Sequence, residues 1–244
     1  MKISQRLQQI NQMVGPGYDH IWDCCCDHGL LGMLLLQRNA APKVHFVDCV
    51  APLMQQLSIE LARFFPQQHE VENTDIPQSE WQVHCLDVAA LPLEQYGKQA
   101  KHLVIIAGVG GELLVELVRS IVVRYYAYTL EFILCPVHHN YHVRSSLAEL
   151  GLSLKYEYLL EENQRFYEIL HLTHSNAASG TNETALLSST GSMMWQGLDA
   201  DKTRLAKRYL GQTIGHYQRI PESRLPNKPQ IVAAYQQILL QLNN

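Results

Sequence analysis

The chain predicts a doubly wound α/β sheet with an antiparallel edge, followed by a small helical hairpin. Short apolar runs alternate with segments of helical spacing from the start to about residue 150. Two further strand-like runs, separated only by Glu161-Glu162-Asn163, then close the sheet. Beyond residue 173 the texture changes to a polar linker and two helical segments.

Each element follows from local pattern. Residues 2–14 form an amphipathic helix, with Ile3, Leu7, Ile10 and Val14 on one side and Gly15-Pro16-Gly17 as its stop. A first strand occupies residues 19–25 and leads into Asp27-His28-Gly29; a strongly apolar helix follows over 30–37. A second strand is expected at 43–48, a helix at 52–65, and a loop or frayed connection over 66–80. Trp81 to Cys85 reads as a third strand ending at Leu86-Asp87, and residues 101–107, almost continuously apolar, as a fourth strand covered on both faces. Gly108-Val109-Gly110-Gly111 breaks that strand and opens a helix over 112–125; a fifth strand over 130–135 is halted by Pro136. A helix over 142–150 and strands over 153–160 and 164–172 complete a first domain, residues 1–174. A linker over 175–192 joins it to a hairpin domain, residues 193–244, with helices over 193–219 and 229–242.

Composition narrows the class of protein. With 244 residues and 47% hydrophobic content, the chain can bury a full core. It has no run of eighteen apolar residues and no signal-peptide pattern at Met1 to Arg6, so a cytoplasmic protein without a membrane partner is expected. The net charge of −4 argues against a uniformly basic nucleic-acid binder, yet the hairpin carries Lys202, Arg204, Lys207, Arg208, Arg219, Arg224 and Lys228 against three acids. Six cysteines, three of them adjacent and Cys49, Cys85 and Cys135 in or beside apolar runs, suit buried free thiols in a reducing compartment.

The richest stretch is Asp23-Cys24-Cys25-Cys26-Asp27-His28-Gly29, at the first strand-to-helix turn, where open α/β sheets bind ligands. On a continuing strand Cys24 and Cys26 share a side, but no CxxC partner occurs elsewhere, and no metal is expected. His138-His139-Asn140-Tyr141-His142 has no acid close in sequence and reads as a polar rim loop. Neither GxGxxG nor GxxxxGKS is present, so the turn is not built for pyrophosphate. Acids at the ends of strands one, two and three suit a cationic, hydroxyl-rich ligand instead. Asp23 and Asp27 match the amino group of a methionine moiety, Asp48 a ribose diol and Asp87 an adenine amino group, which is the pattern S-adenosylmethionine requires. Each aspartate taken singly also fits a strand-end or N-cap role.

These residues are similar to a known family. Ser4-Gln5-Arg6-Leu7, Asp23 to Gly32, Leu86-Asp87-Val88, Ala107-Gly108-Val109-Gly110-Gly111 and Cys135-Pro136-Val137 resemble, in order, the S-K-R-L, D-I-G-S-D-H-A-Y-L-P, G-D-G, A-G-M-G-G and Q-P-N motifs of bacterial tRNA adenine-N1-methyltransferases that modify adenine 22. The likeness runs on through Glu161-Glu162-Asn163 to Phe166-Tyr167-Glu168-Ile169, and the hairpin resembles the family's C-terminal coiled coil.

The resemblance implies a Rossmann-like class I methyltransferase fold and S-adenosylmethionine-dependent methylation of adenine N1 in tRNA. It implies cofactor contacts from Asp23, Cys25, Asp27, His28, Gly29, Asp48, Asp87, Ala107 and Gly108. Substrate contacts are implied from Arg6, Gly110, Gly111, Pro136, Lys202, Arg204, Lys207 and Arg208, with Asp27 and His28 as candidates to orient the base or take its proton. The chain departs from the family where Cys25 replaces a glycine, where the glycines flanking Asp87 are lost, and where Val137 replaces an asparagine. Two other readings stay open on those departures: a methyltransferase-fold module that binds RNA or protein without turnover, and a methyltransferase with another substrate.

Overall fold

A computed structural model describes residues 3–66, 79–174 and 185–243. Most of the connection expected over 66–80 and the first part of the 175–192 linker lie outside these residues. The sheet contains β1 (His20–Cys24), β2 (Lys43–Asp48), β3 (Glu80–Cys85), β4 (His102–Ala107), β5 (Leu130–Cys135), β6 (Ser153–Glu162), β7 (Arg165–His174) and the two-residue β8 (Ala185–Leu186). Their order is β3-β2-β1-β4-β5-β7-β6-β8. The first five strands pair in parallel, while β7 runs antiparallel between β5 and β6. The expected doubly wound sheet with an antiparallel edge is therefore present. β8 is an addition that a two-residue pairing gives no periodicity to reveal.

Helices α1 (Gln5–Met13), α2 (Leu30–Gln37) and α3 (Ala51–Phe64) supply one apolar layer, where Ile10, Leu35, Leu57 and Leu61 meet Ile21, Val44 and Phe46 of the sheet. Helices α4 (Gly111–Arg124) and α5 (Asn140–Glu149) supply the other, against Trp22, Val104, Ile106 and Phe132. Two short 3-10 turns, Val88–Ala90 and Leu93–Tyr96, stand between β3 and β4 and seal that face with Val88, Leu91 and Leu93. Full cover on both faces explains why β4 and β5 are nearly all apolar.

Local chemistry sets the ends. Ser4 caps α1, its Oγ accepting from Leu7 N–H at 3.2 Å, so the serine of the S-Q-R-L motif starts the helix that carries Arg6. Gly32 lets α2 settle on β2, since a Cβ there would lie 2.2 Å from Phe46 Cε1. The β6–β7 hairpin turns on Asn163 and Gln164, both at positive φ, as a two-residue turn demands.

The helical pair is α6 (Ala200–Arg219) and α7 (Lys228–Gln241), preceded by a 3-10 turn at Met193–Trp195 where continuous helix was expected. Asp199 accepts from Lys202 N–H at 2.8 Å and fixes the start of α6 some seven residues later than the pattern suggested. Leu210, Ile214, Ile231 and Tyr235 pack the pair together and against Leu159 of β6. Among the described residues, no helix is long and apolar enough to cross a membrane.

Candidate active site

β1 stops at Cys24, and Cys25 and Asp27 then take left-handed backbone conformations, with φ of 54° and 50°. The alternation expected to put Cys24 and Cys26 on one side therefore ends. Cys24 packs with Trp22 on the α4 face, whereas Cys26 meets the opposite layer. Burial raises all three thiols, Cys25 to about 11, with Asp48, Cys49, Asp23 and Asp87 adding to the rise at Cys25. Protonated, divergent thiols are poor metal ligands. All six cysteines are free, but Cys49 and Cys85 are exposed at strand ends rather than buried as expected.

The turn forms one wall of a cleft of about 220 Å³ at the carboxyl ends of β1 and β4. It brings together Arg6, Asp23, Cys25, Asp27, His28, Ala107 and Gly108, residues from three separate motifs. Asp23 is buried, and its Oδ2 accepts from Gly32 N–H at 2.8 Å. Burial raises its carboxyl to about 7, against the Gly32 hydrogen bond and with a further rise from Asp48. Asp27 and His28 are exposed, with His28 Nε2 3.6 Å from Asp27 Oδ1. Gly29, at φ 67°, closes the turn against Leu57.

Asp48 stands just outside this wall and ties to it, Oδ2 accepting from Asp27 N–H at 3.3 Å while Oδ1 accepts from Val50 N–H at 3.1 Å. Asp87, one strand further on, is exposed and caps the Val88–Ala90 turn through Ala89 N–H. The N-cap reading therefore holds for Asp87.

Arg6 lies in the cleft itself. Its guanidinium lies over the Tyr167 ring, 4.8 Å from the centroid, and inside the cleft beside Gly108, whose φ of 85° and missing side chain leave it room. The cations of α6 lie elsewhere. Lys202, Arg204 and Arg208 border a different groove with Tyr158 and Glu161, and each is paired: Lys202 with Asp199, Arg204 with Asp201, Arg208 with Glu161 at 2.7 Å. Lys207 is half-buried on the same helix.

A larger cavity of about 1150 Å³ opens beyond the Gly110-Gly111 turn, between the β5–α5 loop, the β6–β7 turn and the helical pair. Arg165, Arg224, Tyr141, Phe166 and Tyr217 line it, together with His138, His139 and Asn140. Pro136 is buried at the end of β5, and Val137 N–H donates to Val109 O at 3.0 Å, so the β5 loop is held to the glycine turn through backbone although the family's asparagine is absent. Asn140 brings a side-chain amide to the same cavity, with its Oδ1 buried and unpaired. Glu112, at the first turn of α4, stands against His138 and His139 and supplies the acid that the linear sequence did not place there.

A sheet of this order, with Asp23 and Asp27 in a cleft at the carboxyl ends of β1 and β4 and Asp48 tied to its wall, is an open α/β architecture with its ligand cleft at the strand ends. A family model described as a methyltransferase domain matches residues 3–170, and the chain belongs to that family. No curated protein sequence matches it. Among solved structures it is similar to Streptococcus pneumoniae Sp1610 in complex with S-adenosyl-L-methionine, at 17% identity and TM-score 0.70, over 98% of this chain and 100% of that one. It is also similar to M. capricolum TrmK bound to S-adenosyl-homocysteine, at 15% identity and TM-score 0.68. That match covers 100% and 99% of the two chains. The B. subtilis m1A22 tRNA methyltransferase TrmK gives 18% identity, TM-score 0.63 and the same coverage. At these identities the likeness establishes the fold.

Cys25 sits where the family motif has glycine, in a conformation glycine favours. A left-handed non-glycine residue costs about 1 kcal/mol, roughly what glycine loses in unfolded-chain entropy, so Cys25→Gly should leave stability nearly unchanged. Removing the side chain from the cleft wall should tighten S-adenosylhomocysteine binding about fivefold, close to 1 kcal/mol. Calorimetry on both proteins checks this, and equal or weaker binding by the variant would reject the obstruction.

Proposed function

We propose that the chain is an S-adenosylmethionine-dependent methyltransferase acting on N1 of an adenine in tRNA, in the cytoplasm. Residues 1–174 form its catalytic domain, 175–192 a linker and 193–244 a helical hairpin domain. The observation that carries this reading is the convergence, on one cleft, of the motif residues Arg6, Asp23, Asp27, His28, Ala107 and Gly108. Full-length likeness to the TrmK structures, hairpin included, supports the choice of substrate.

The donor set fits the cofactor. Asp23 and Asp27, in the cleft, would answer a cationic amino group, Asp48 beside it would take a ribose diol, and Asp87 at the end of β3 an adenine amino group. Arg6, held inside the cleft on Tyr167, fits the methionine carboxylate better than a tRNA phosphate. When bound, the cofactor supplies an electrophilic methyl group.

Adenine N1 has an in-plane lone pair, so the protein's work is alignment and exclusion of water rather than activation of a nucleophile. Gly108 leaves space for a flat base to approach, with only Arg6 near its missing side chain, whereas Gly110 and Gly111 are packed against His138 and His139. Asp27 and His28, exposed in the cleft lining, are the candidates to orient the base or to take up a proton. Arg165 and Arg224 with Tyr141, Phe166 and Tyr217 make the large cavity suited to phosphate contacts and base stacking. The paired cations of α6 contribute less, since their charge is already answered.

Calorimetry with S-adenosylhomocysteine tests the cofactor half. Binding in the micromolar range is expected, and Asp48→Ala should weaken it by roughly 1 to 3 kcal/mol through lost charged hydrogen bonds. Absence of binding by the wild-type protein would defeat the reading; undiminished binding by the variant would remove Asp48 from the site.

A further inference from the structure

We propose that Glu112, His138 and His139 form a binding site for a divalent transition-metal cation of the Zn²⁺ class, on the wall of the large cavity beside the Gly110-Gly111 turn. One ligand atom from each residue can be chosen so that all three lie within 4.8 Å of one another. A tetrahedral zinc site with bonds near 2.0–2.1 Å spaces its ligand atoms about 3.4 Å apart. Small rotations of three exposed side chains close that difference. The set is two imidazole nitrogens and one carboxylate, which selects borderline cations over Mg²⁺ or Ca²⁺. Three protein ligands leave a fourth position, for water, on the side of the large cavity that all three residues line.

The backbone beneath the site is built for this placement. Glu112 is fixed by the first turn of α4, at whose start Gly111 lies. A Cβ at Gly111 would fall 2.7 Å from His138 O and 3.1 Å from His139 Cβ, and one at Gly110 would fall 3.1 Å from His138 Cε1. The two glycines thus give the histidine loop its seat. His139 holds φ 63° as the residue before α5, a left-handed conformation that costs energy in a non-glycine residue. His138 and His139 rings lie 4.3 Å apart and both face Glu112, with His139 Nδ1 already in contact with Glu112 Oε1. About half of each side chain is exposed, so an incoming ion can reach the three groups.

The inference stands on these three side chains and does not depend on methyl transfer. The full-length protein, stripped with chelator and dialysed, is titrated with ZnCl₂ in a calorimeter, and with CoCl₂ to read visible ligand-field bands. One equivalent is expected, with a dissociation constant on the order of 10 µM or tighter and no displacement by millimolar Mg²⁺. Glu112→Gln and His139→Asn, the latter tolerant of positive φ, should each weaken binding at least about tenfold. His216→Asn, which removes an exposed histidine of α6 outside the trio, should leave it unchanged. Circular dichroism confirms that each variant is folded. Absent Zn²⁺ binding, displacement by Mg²⁺, or binding that survives the Glu112 and His139 substitutions or falls equally with His216→Asn would overturn the site.

Discussion

Replacing Arg144 with methionine should destabilise the protein by about 3 to 5 kcal/mol in chemical denaturation, because it strands two carboxylates in the interior. Arg144 is fully buried on α5, with Glu157 Oε2 2.7 Å away and Glu168 Oε2 2.5 Å away. Burial opposes its charge, and the two glutamates more than restore it, leaving its pKa raised. Each glutamate reaches further. Glu157 Oε1 accepts from Ser192 N–H at 2.6 Å and Met194 N–H at 3.1 Å, while Glu168 accepts from the Tyr209 hydroxyl of α6. One cation therefore joins α5, β6 and β7 to the segment entering the helical pair.

Adding Glu157→Gln and Glu168→Gln to the methionine variant should recover much of the loss, since the unpaired charges go with it. A single-variant cost below about 1 kcal/mol would show that water or rearrangement satisfies the carboxylates and that the network does not hold the structure together.

The second large effect is with pH. His20, His45, His84 and His102 sit on one face of β1 to β4 around Trp22 and Tyr96. His20 Nδ1 is 3.1 Å from His45 Nε2, His45 Nδ1 is 3.0 Å from His84 Nε2, and Trp22 Nε1 donates to His102 Nδ1 at 3.1 Å. Burial lowers all four pKa values, His45 to about 2, with its histidine neighbours adding to the shift, and His102 to about 4.

Folded-state values below the unfolded 6.5 mean that the unfolded chain takes up protons first. Stability is then complete above about pH 6.5 and falls as pH drops toward the folded values, by about 1.4 kcal/mol per unit for each such histidine. By pH 5, His45 and His102 together cost about 4 kcal/mol. Asp23, raised to about 7 by burial, acts in the opposite direction between pH 4 and 7 and offsets roughly 2 kcal/mol of that. His45→Gln, destabilising in itself, should reduce the slope of stability between pH 5 and 6.5 by close to one proton. An unaltered slope would mean that His45 is charged in the folded state.

What could be read from the chain divides along physical lines. β2, β5 and α2 begin and end where their apolar runs do, because solvent and a turn residue bound each. The β3–β4 connection hid two 3-10 turns, too short for any period to show. At the cofactor turn the aspartates and glycines were visible as a motif, but the left-handed turn at Cys25 that divides the cysteines between two faces was not. Partners distant in sequence were beyond reach as well. Arg208 looked free to hold RNA until β6 placed Glu161 beside it, and the four histidines belong to four strands that only the sheet order aligns. Glu112 and His139 are likewise joined by the packing of the start of α4 against the β5–α5 loop, at adjacent strand ends.

The central claim is methyl transfer to adenine N1 of tRNA, and one measurement addresses it directly. Unmodified tRNA is incubated with the protein and S-adenosylmethionine carrying a labelled methyl group, then digested to nucleosides and fragments and analysed by mass spectrometry. The account predicts 1-methyladenosine at a single position, formed only when protein and cofactor are both present. A label on any other atom, or none in a protein that binds S-adenosylhomocysteine, would contradict it.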